Sequence, residues 1–304
     1  MDRFSGVLVP ALTPFDRDLA PDAARLGRYC RWLLDRGANG LAVFGTTSEA
    51  NSLSLAERKS LLELVIESGV PAKVLLPGTG TCSLPESVEL TRHAVGLGCG
   101  GVLMLPPFYY KGVGTDGLFA SFAEVIERVG EADLRIYLYH FPAMSGVPVT
   151  ADLVERLIAA YPETVVGLKD SSGEIGNTLD LLKQFPGFSV FPGSEKLLFE
   201  ALGHGAAGCI SATANVNVGP IRQLIDSYPD AEELHRAVSS VREAIEGHPM
   251  VPALKALIAH ATGEPEWSIV RPPLRALGED AAAALAATAS EAGLDLGGPN
   301  LAIG

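Results

Sequence analysis

Cysteine is scarce and scattered in this sequence: Cys30, Cys82, Cys99 and Cys209 stand far apart, with no Cys-x-x-Cys pair. A disulfide framework or a thiolate zinc site needs paired spacing, so neither is expected, and the four read as buried small hydrophobes. Basic residues are few as well. Lys and Arg number 23 against 36 Asp and Glu, a net charge of −13, whereas nucleic acid or an anionic membrane would require a basic face. No apolar run approaches the ~20 residues of a membrane span. The start, Met1-Asp2-Arg3-Phe4, lacks the apolar core of a secretory signal, so a cytoplasmic location is the expectation. What remains is globular: 47% hydrophobic and 19% charged, with 33 glycines and 21 prolines, many at the edges of apolar runs. That composition suits a soluble enzyme with a sizeable core.

The apolar runs alternate with helical periodicity. Strands are expected at residues 6–12, 40–44, 73–76, 101–105, 134–139, 164–169, 188–191 and 208–211. Helices are expected between them. Asp22 caps one running to about Arg36, and Ser54 with Glu57 forms a capping box for another reaching Ser68. Further helices fall at 84–95, 116–129, 151–160, 174–184 and 195–202. Eight strand–helix alternations with short connections and no linker predict a closed (β/α)8 TIM barrel of the α/β class, the alternative being an open doubly wound sheet. The division expected is a barrel over 1–220 and a C-terminal helical extension over 221–304, packed together as one unit, with Gly297 to Asn300 a loose tail.

The residue on which function turns is Lys169, at the end of Thr164-Val165-Val166-Gly167-Leu168-Lys169. Lysine is seldom buried without a partner. Its ammonium either snorkels past the strand end or serves as a Schiff-base amine, and the stretch alone leaves both open. In a barrel, chemistry sits at the C-terminal strand ends. There the sequence places Thr46 and Thr47, the run Pro106 to Tyr110, Tyr139-His140, Gly193-Ser194-Glu195 and Ala212 to Asn215, with no metal-ligand cluster of the kind a metal-dependent aldolase needs. An imine on Lys169 would activate a bond beta to it. That chemistry also needs a proton shuttle, which Tyr139 on the neighbouring strand could provide, and a carboxylate anchor, which Thr46 and Thr47 could provide.

The Gly45-Thr46-Thr47 turn, the Tyr139-His140-Phe141-Pro142 segment and the Gly167-Leu168-Lys169-Asp170 strand end occur in an order and spacing that resemble the dihydrodipicolinate synthase and N-acetylneuraminate lyase superfamily of pyruvate-dependent class I aldolases. The likeness runs from Val9 to Leu274. It implies that Lys169 forms the pyruvyl imine with no separate cofactor, that Tyr139 relays protons, and that Thr46 and Thr47 hold the pyruvate carboxylate and link to the tyrosine. It further implies that Tyr109, or Tyr110, enters a neighbouring subunit's site, that Gly193 and Ile210 meet the substrate through backbone groups, and that the protein is a homotetramer, a dimer of dimers. The partners implied are pyruvate and an aldehyde.

Departures from the pattern narrow the substrate. The synthases carry an arginine where this chain has Met144, and the acidic pair of the neuraminate lyases falls on Glu195 and Lys196. The histidines of the feedback-lysine site fall on Leu55 and Arg58, so that site is expected to be absent. His140 stands in place of an asparagine and is either a ligand of the second substrate or a hydrogen-bonded strand-end residue. Glu195 is either a substrate ligand or a favourable acid in a first helical turn. The expectation is a lyase acting on a 2-keto-3-deoxy or 4-hydroxy-2-oxo acid, with an uncharged hydroxylated or aromatic second substrate. The alternatives are a 4-hydroxy-tetrahydrodipicolinate synthase using aspartate semialdehyde through another cation such as Lys111 or Lys196, a keto-deoxy acid dehydratase, and a non-catalytic keto-acid-binding barrel.

Overall fold

The computed structural model describes residues 3–296 and 303. Its strands are short, parallel and buried on both faces, as expected where helices cover the outside of a sheet. β1 (Gly6–Val9) lies between β2 (Gly40–Leu41) and β7 (Gly208–Ile210). β3 (Val102–Met104), β4 (Ile136–His140), β5 (Val165–Asp170) and β6 (Ser189–Pro192) form a second arc in that order. The arcs join into a ring. On one side Leu41 bridges to Leu75 and Gly78 to Leu103; on the other the Ala207 amide donates to the Val190 carbonyl at 3.0 Å. An open sheet would leave those edges unpaired.

The third expected strand is corrected. Residues 72–74 form one 3-10 turn behind Pro71, and the extended segment begins at Leu75 and contains Pro77, which has no amide to donate. It therefore joins the ring through isolated bridges rather than a regular ladder.

Closure is written in the core. Leu8, Ala42, Leu76, Leu103, Tyr137, Val166, Phe191 and Ile210 meet in one buried cluster inside the ring, one from each of eight positions around it. Tyr137 spans the lower part, its phenol accepting from the Phe4 amide at 2.8 Å. Gly167 is needed beside it, because a β-carbon there would lie 2.5 Å from both the Tyr137 ring and the Ser189 carbonyl. A second, larger cluster fills the space between strands and helices.

Those helices are α1 (Ala23–Asp35), α2 (Leu55–Glu67), α3 (Leu84–Gly96), α4 (Thr115–Val129), the single turn α5 (Pro142–Ser145), α6 (Ala151–Ala160), α7 (Ile175–Gln184), α8 (Leu198–Gly203) and α9 (Ala214–Asp226). The expected caps form: Asp22 accepts from the Arg25 amide, and Ser54 and Glu57 exchange both bonds of a capping box. Residues 195–197 make a 3-10 turn, so α8 starts three residues later than expected. α9 runs across residue 220, bent at Asn217, so a boundary at 220/221 would cut a helix. Beyond it α10 (Glu232–Glu246), α11 (Met250–Thr262) and α12 (Glu279–Glu291) occupy the C-terminal apolar runs. Trp267 packs edge-on against Tyr29 of α1 with ring centres 4.9 Å apart, which ties the C-terminal part to the barrel. The expected loose tail at Gly297 to Asn300 lies outside the described residues. No helix among the described residues is long and apolar enough to cross a membrane.

Candidate active site

Lys169 and Tyr139 are register partners on neighbouring strands. Alternation along a strand turns both side chains the same way, and Lys169 Nζ lies 3.1 Å from the Tyr139 hydroxyl. The ammonium also sits 4.3 Å from the centre of the Tyr139 ring. Lys169 is only 5% exposed, so the snorkelling alternative does not hold. No carboxylate pairs with it among the described residues. The nearby Asp170 is spent elsewhere: the Ser172 amide, Asn177 Nδ2 and Thr178 Oγ1 donate to it at 2.9, 2.9 and 2.7 Å. These bonds lock the end of β5 to the start of α7.

The turn carrying Thr46 and Thr47 is held under strain. Phe44 before it and Glu49 after it both have φ of 57°, a left-handed conformation that costs a non-glycine residue free energy. Several bonds compensate. Ser48 donates to the Ala11 carbonyl at 2.6 Å and Thr13 to the Ser48 carbonyl at 2.8 Å. Glu49 is buried and receives Lys255 Nζ of α11 at 2.5 Å and the Arg271 amide at 3.0 Å. Burial pushes the Lys255 ammonium down to about 8 against the pull of Glu49.

These groups open onto a cavity of about 490 Å³. Thr46, Thr47, Tyr139, Lys169 and Gly193 line one part of it. Elsewhere the wall is largely apolar, with Phe141, Met144 and Leu197 from the barrel and Met250, Val251 and Leu274 from the C-terminal part. Phe141 stacks on Tyr139 with ring centres 5.7 Å apart. A small oxo acid can therefore meet one amine, one phenol and two hydroxyls in a largely apolar cleft, the arrangement that imine chemistry requires.

Comparison with known proteins gives the family. The profile of the dihydrodipicolinate synthetase family matches residues 3–292. The chain belongs to that family. It is 35% identical to an uncharacterized DapA-like lyase of Chloroflexus aurantiacus, over 93% of this chain and 95% of the relative. It is also 35% identical to the 4-hydroxy-tetrahydrodipicolinate synthase of Thermus thermophilus, over 89% and 90% of the two chains. The fold matches the crystal structure of dihydrodipicolinate synthase from Agrobacterium tumefaciens with a TM-score of 0.89 at 31% identity, covering 95% of this chain and 99% of that one. A prophage protein of the same family from E. coli K12, solved in complex with pyruvate, matches with a TM-score of 0.88 at 27% identity over 96% and 99%. The chain is thus a TIM-barrel lyase. Members of the family take pyruvate as a covalent lysine Schiff base together with an aldehyde, and need no cofactor.

Not every residue that the family resemblance points to reaches the cavity. Gly193 does, and a β-carbon there would lie 3.0 Å from the Asp170 carbonyl and would displace the Ser171 hydroxyl, so the space is tight for any larger residue. Neither Thr46 nor Thr47 is hydrogen-bonded through its hydroxyl to Tyr139 in the isolated chain. His140 is corrected: it follows Tyr139, so it faces the opposite side of the strand, where its Nδ1 accepts from the Val149 amide at 3.0 Å. Burial there pushes its pKa down. Glu195 is corrected too. It is fully buried behind the cavity wall, accepting from Ser211 Oγ at 2.5 Å and from Thr213, with Arg242 Nη1 at 3.3 Å. Ile210 belongs to the cluster inside the barrel and does not line the cavity. Tyr109 is 75% exposed and packs edge-on against Tyr110, away from Lys169 in the single chain.

Neither lysine considered as a substitute cation lines the cavity. Lys111 donates to the Ser145 carbonyl at 2.5 Å, and Lys196 pairs with Glu246 at 2.7 Å. Arg58 is buried against the Gly78 carbonyl. Sequence reasoning missed Arg242 of α10, which does line the cavity. On its own it is one of several charged residues on an amphipathic helix, and only its position in space sets it apart.

Proposed function

We propose that the chain is a pyruvate-dependent class I aldolase in which Lys169 forms the imine, and that it makes or cleaves a 4-hydroxy-2-oxo or 2-keto-3-deoxy acid. The observation that carries this is the Lys169–Tyr139 contact of 3.1 Å on the wall of the cavity. The Lys169 amine attacks the keto carbon of pyruvate to give a carbinolamine. Tyr139 relays the proton that lets water leave, and the resulting iminium acidifies the methyl group. Loss of a proton there yields an enamine that attacks an aldehyde, and hydrolysis frees the product and the amine. Thr46 and Thr47, presented by the strained turn, bind the pyruvate carboxylate, and the Gly193 backbone faces the bound acid.

The aldehyde site differs from that of a lysine-pathway synthase because Met144 offers a thioether, which cannot hold an anion. A synthase reading has one observation in its favour, the 35% identity to a protein of that name. Assay with pyruvate and aspartate semialdehyde decides it.

The adjoining exposed rings of Tyr109 and Tyr110 support assembly with a second copy, and we read the working form as a homotetramer in which Tyr109 reaches a partner's site. Four unpaired thiols suit a reducing compartment and support a cytoplasmic location.

The test is borohydride reduction in the presence of pyruvate, followed by intact mass and peptide mapping. An adduct on Lys169 is expected. A folded protein with no adduct at Lys169 overturns the reading.

A further inference from the structure

Two residues after Thr47 stands a carboxylate that the chemistry on Lys169 does not use. Glu49 lies off the cavity wall, and its side chain and that of Lys255 are both fully buried. Burying two ions costs free energy that a well-packed apolar pair would not, so their presence beside the threonine turn points to geometry rather than to stability. The backbone agrees. Glu49 has φ of 57°, and its amide donates to the Thr46 carbonyl at 3.1 Å, so the strained residue is tied directly to one that lines the cavity.

The two oxygens of Glu49 reach two different segments of the C-terminal part. Oε1 accepts from Lys255 Nζ of α11 at 2.5 Å, and Oε2 accepts from the Arg271 amide at 3.0 Å. Each segment also builds the cavity. Val251 lines it four residues before Lys255, which puts the two on one side of α11, and Leu274 lines it three residues after Arg271. Lys255 donates as well to the Ile269 carbonyl at 2.7 Å, which joins the two segments to each other. One carboxylate therefore sets the threonine turn against the wall that faces it. Lys169 and Tyr139, by contrast, are held by the β4–β5 ladder and do not depend on that joint.

We propose that Glu49 is a positioning residue for the reaction: held by Lys255 and the Arg271 amide, it fixes the Thr46 and Thr47 hydroxyls where the substrate carboxylate meets them, without itself touching substrate. This rests on the reading of Lys169 as the imine former and of the threonines as the carboxylate anchor. A donor displaced by about 1 Å loses most of its hydrogen bond. Loss of Glu49 accordingly separates recognition of the carboxylate from imine chemistry at the keto carbon.

The experiment compares pyruvate with pyruvamide, its uncharged isostere, in borohydride trapping on Lys169 at pH 7, read by intact mass over a range of ligand concentrations. Wild type is expected to reach half-maximal trapping at a lower concentration of pyruvate than of pyruvamide. Glu49→Gln is expected to raise the pyruvate concentration needed by roughly 10- to 100-fold and the pyruvamide concentration by less than about 3-fold, whereas a loss of packing alone would weaken both alike. If Glu49→Gln does not fold, the double variant Glu49→Gln, Lys255→Met, which removes the stranded cation, is read in its place with the same expectation. A preference for pyruvate that survives in the variant, or equal losses for the two ligands, overturns the proposal. A wild type that traps both ligands equally has no carboxylate anchor to position, which overturns the anchor and the proposal together. A wild type that traps neither overturns the Schiff-base reading instead, and calorimetric titration with the same two ligands then reads the effect of Glu49.

Discussion

Replacing Tyr139 by phenylalanine removes the one atom 3.1 Å from Lys169 Nζ and keeps the ring that stacks on Phe141. Imine formation is expected to slow by roughly 100-fold or more, in the range of general acid–base catalysis, with little change in pyruvate affinity; an unchanged rate in rapid-mixing kinetics removes the relay role. Lys169→Ala is expected to abolish turnover while circular dichroism and melting stay near wild type. Glu57 provides a pH test. Bonds from Arg271 at 2.5 and 3.0 Å hold its carboxyl down to about 2. The folded value is depressed, so the bond's stabilisation is present above the ordinary carboxylate range and is lost as pH falls toward 2. The pair is partly exposed, so about 1 kcal/mol is at stake. Chemical denaturation between pH 5 and pH 2 should show a shallower loss in Glu57→Gln than in wild type.

At the scale of elements, the turn that presents Thr46 and Thr47 is held from behind. Glu49 keeps its left-handed conformation while bound to Lys255 of α11 and to the Arg271 amide. Lys255→Met leaves a buried carboxylate without its cation and is expected to cost about 3–5 kcal/mol in denaturant unfolding. Adding Glu49→Gln should recover part of that loss, and a double variant no more stable than the single one would show that the pair is not the source. Strand alternation explains the errors at this scale. Tyr139 and Lys169 point into the cavity, so His140, the next residue after Tyr139, points away from it. That much was available from the sequence once Tyr139 had been chosen. Glu195 was misplaced because residues 195–197 turn as a 3-10 segment that carries the carboxylate under the wall.

For the whole molecule, sedimentation velocity is expected to give a tetramer, and substituting Tyr109 and Tyr110 together by serine should shift it toward smaller species with reduced turnover. A wild-type monomer with full activity would remove Tyr109 from the mechanism. The barrel was legible in the sequence because each strand–helix unit announces itself locally, through β-branched runs, caps such as Asp22 and Ser54, and glycines where backbones touch, as at Gly167. The Lys169, Tyr139 and threonine-turn motifs were legible for the same reason: each is a short pattern at a strand end, where barrel geometry assigns chemistry. The third strand was misplaced because Pro71 and Pro77 interrupt its ladder while its apolar run continues. Tertiary structure alone decided what completes the cavity. Arg242, Met250 and Leu274 come from the C-terminal part, far along the chain from Lys169, and no local propensity encodes a contact between distant helices. By itself the sequence determined the fold class and singled out Lys169 as the candidate amine, because both depend on local pattern; the packing of α10 and α11 over the barrel mouth determined the charge and shape of the rest of the cavity.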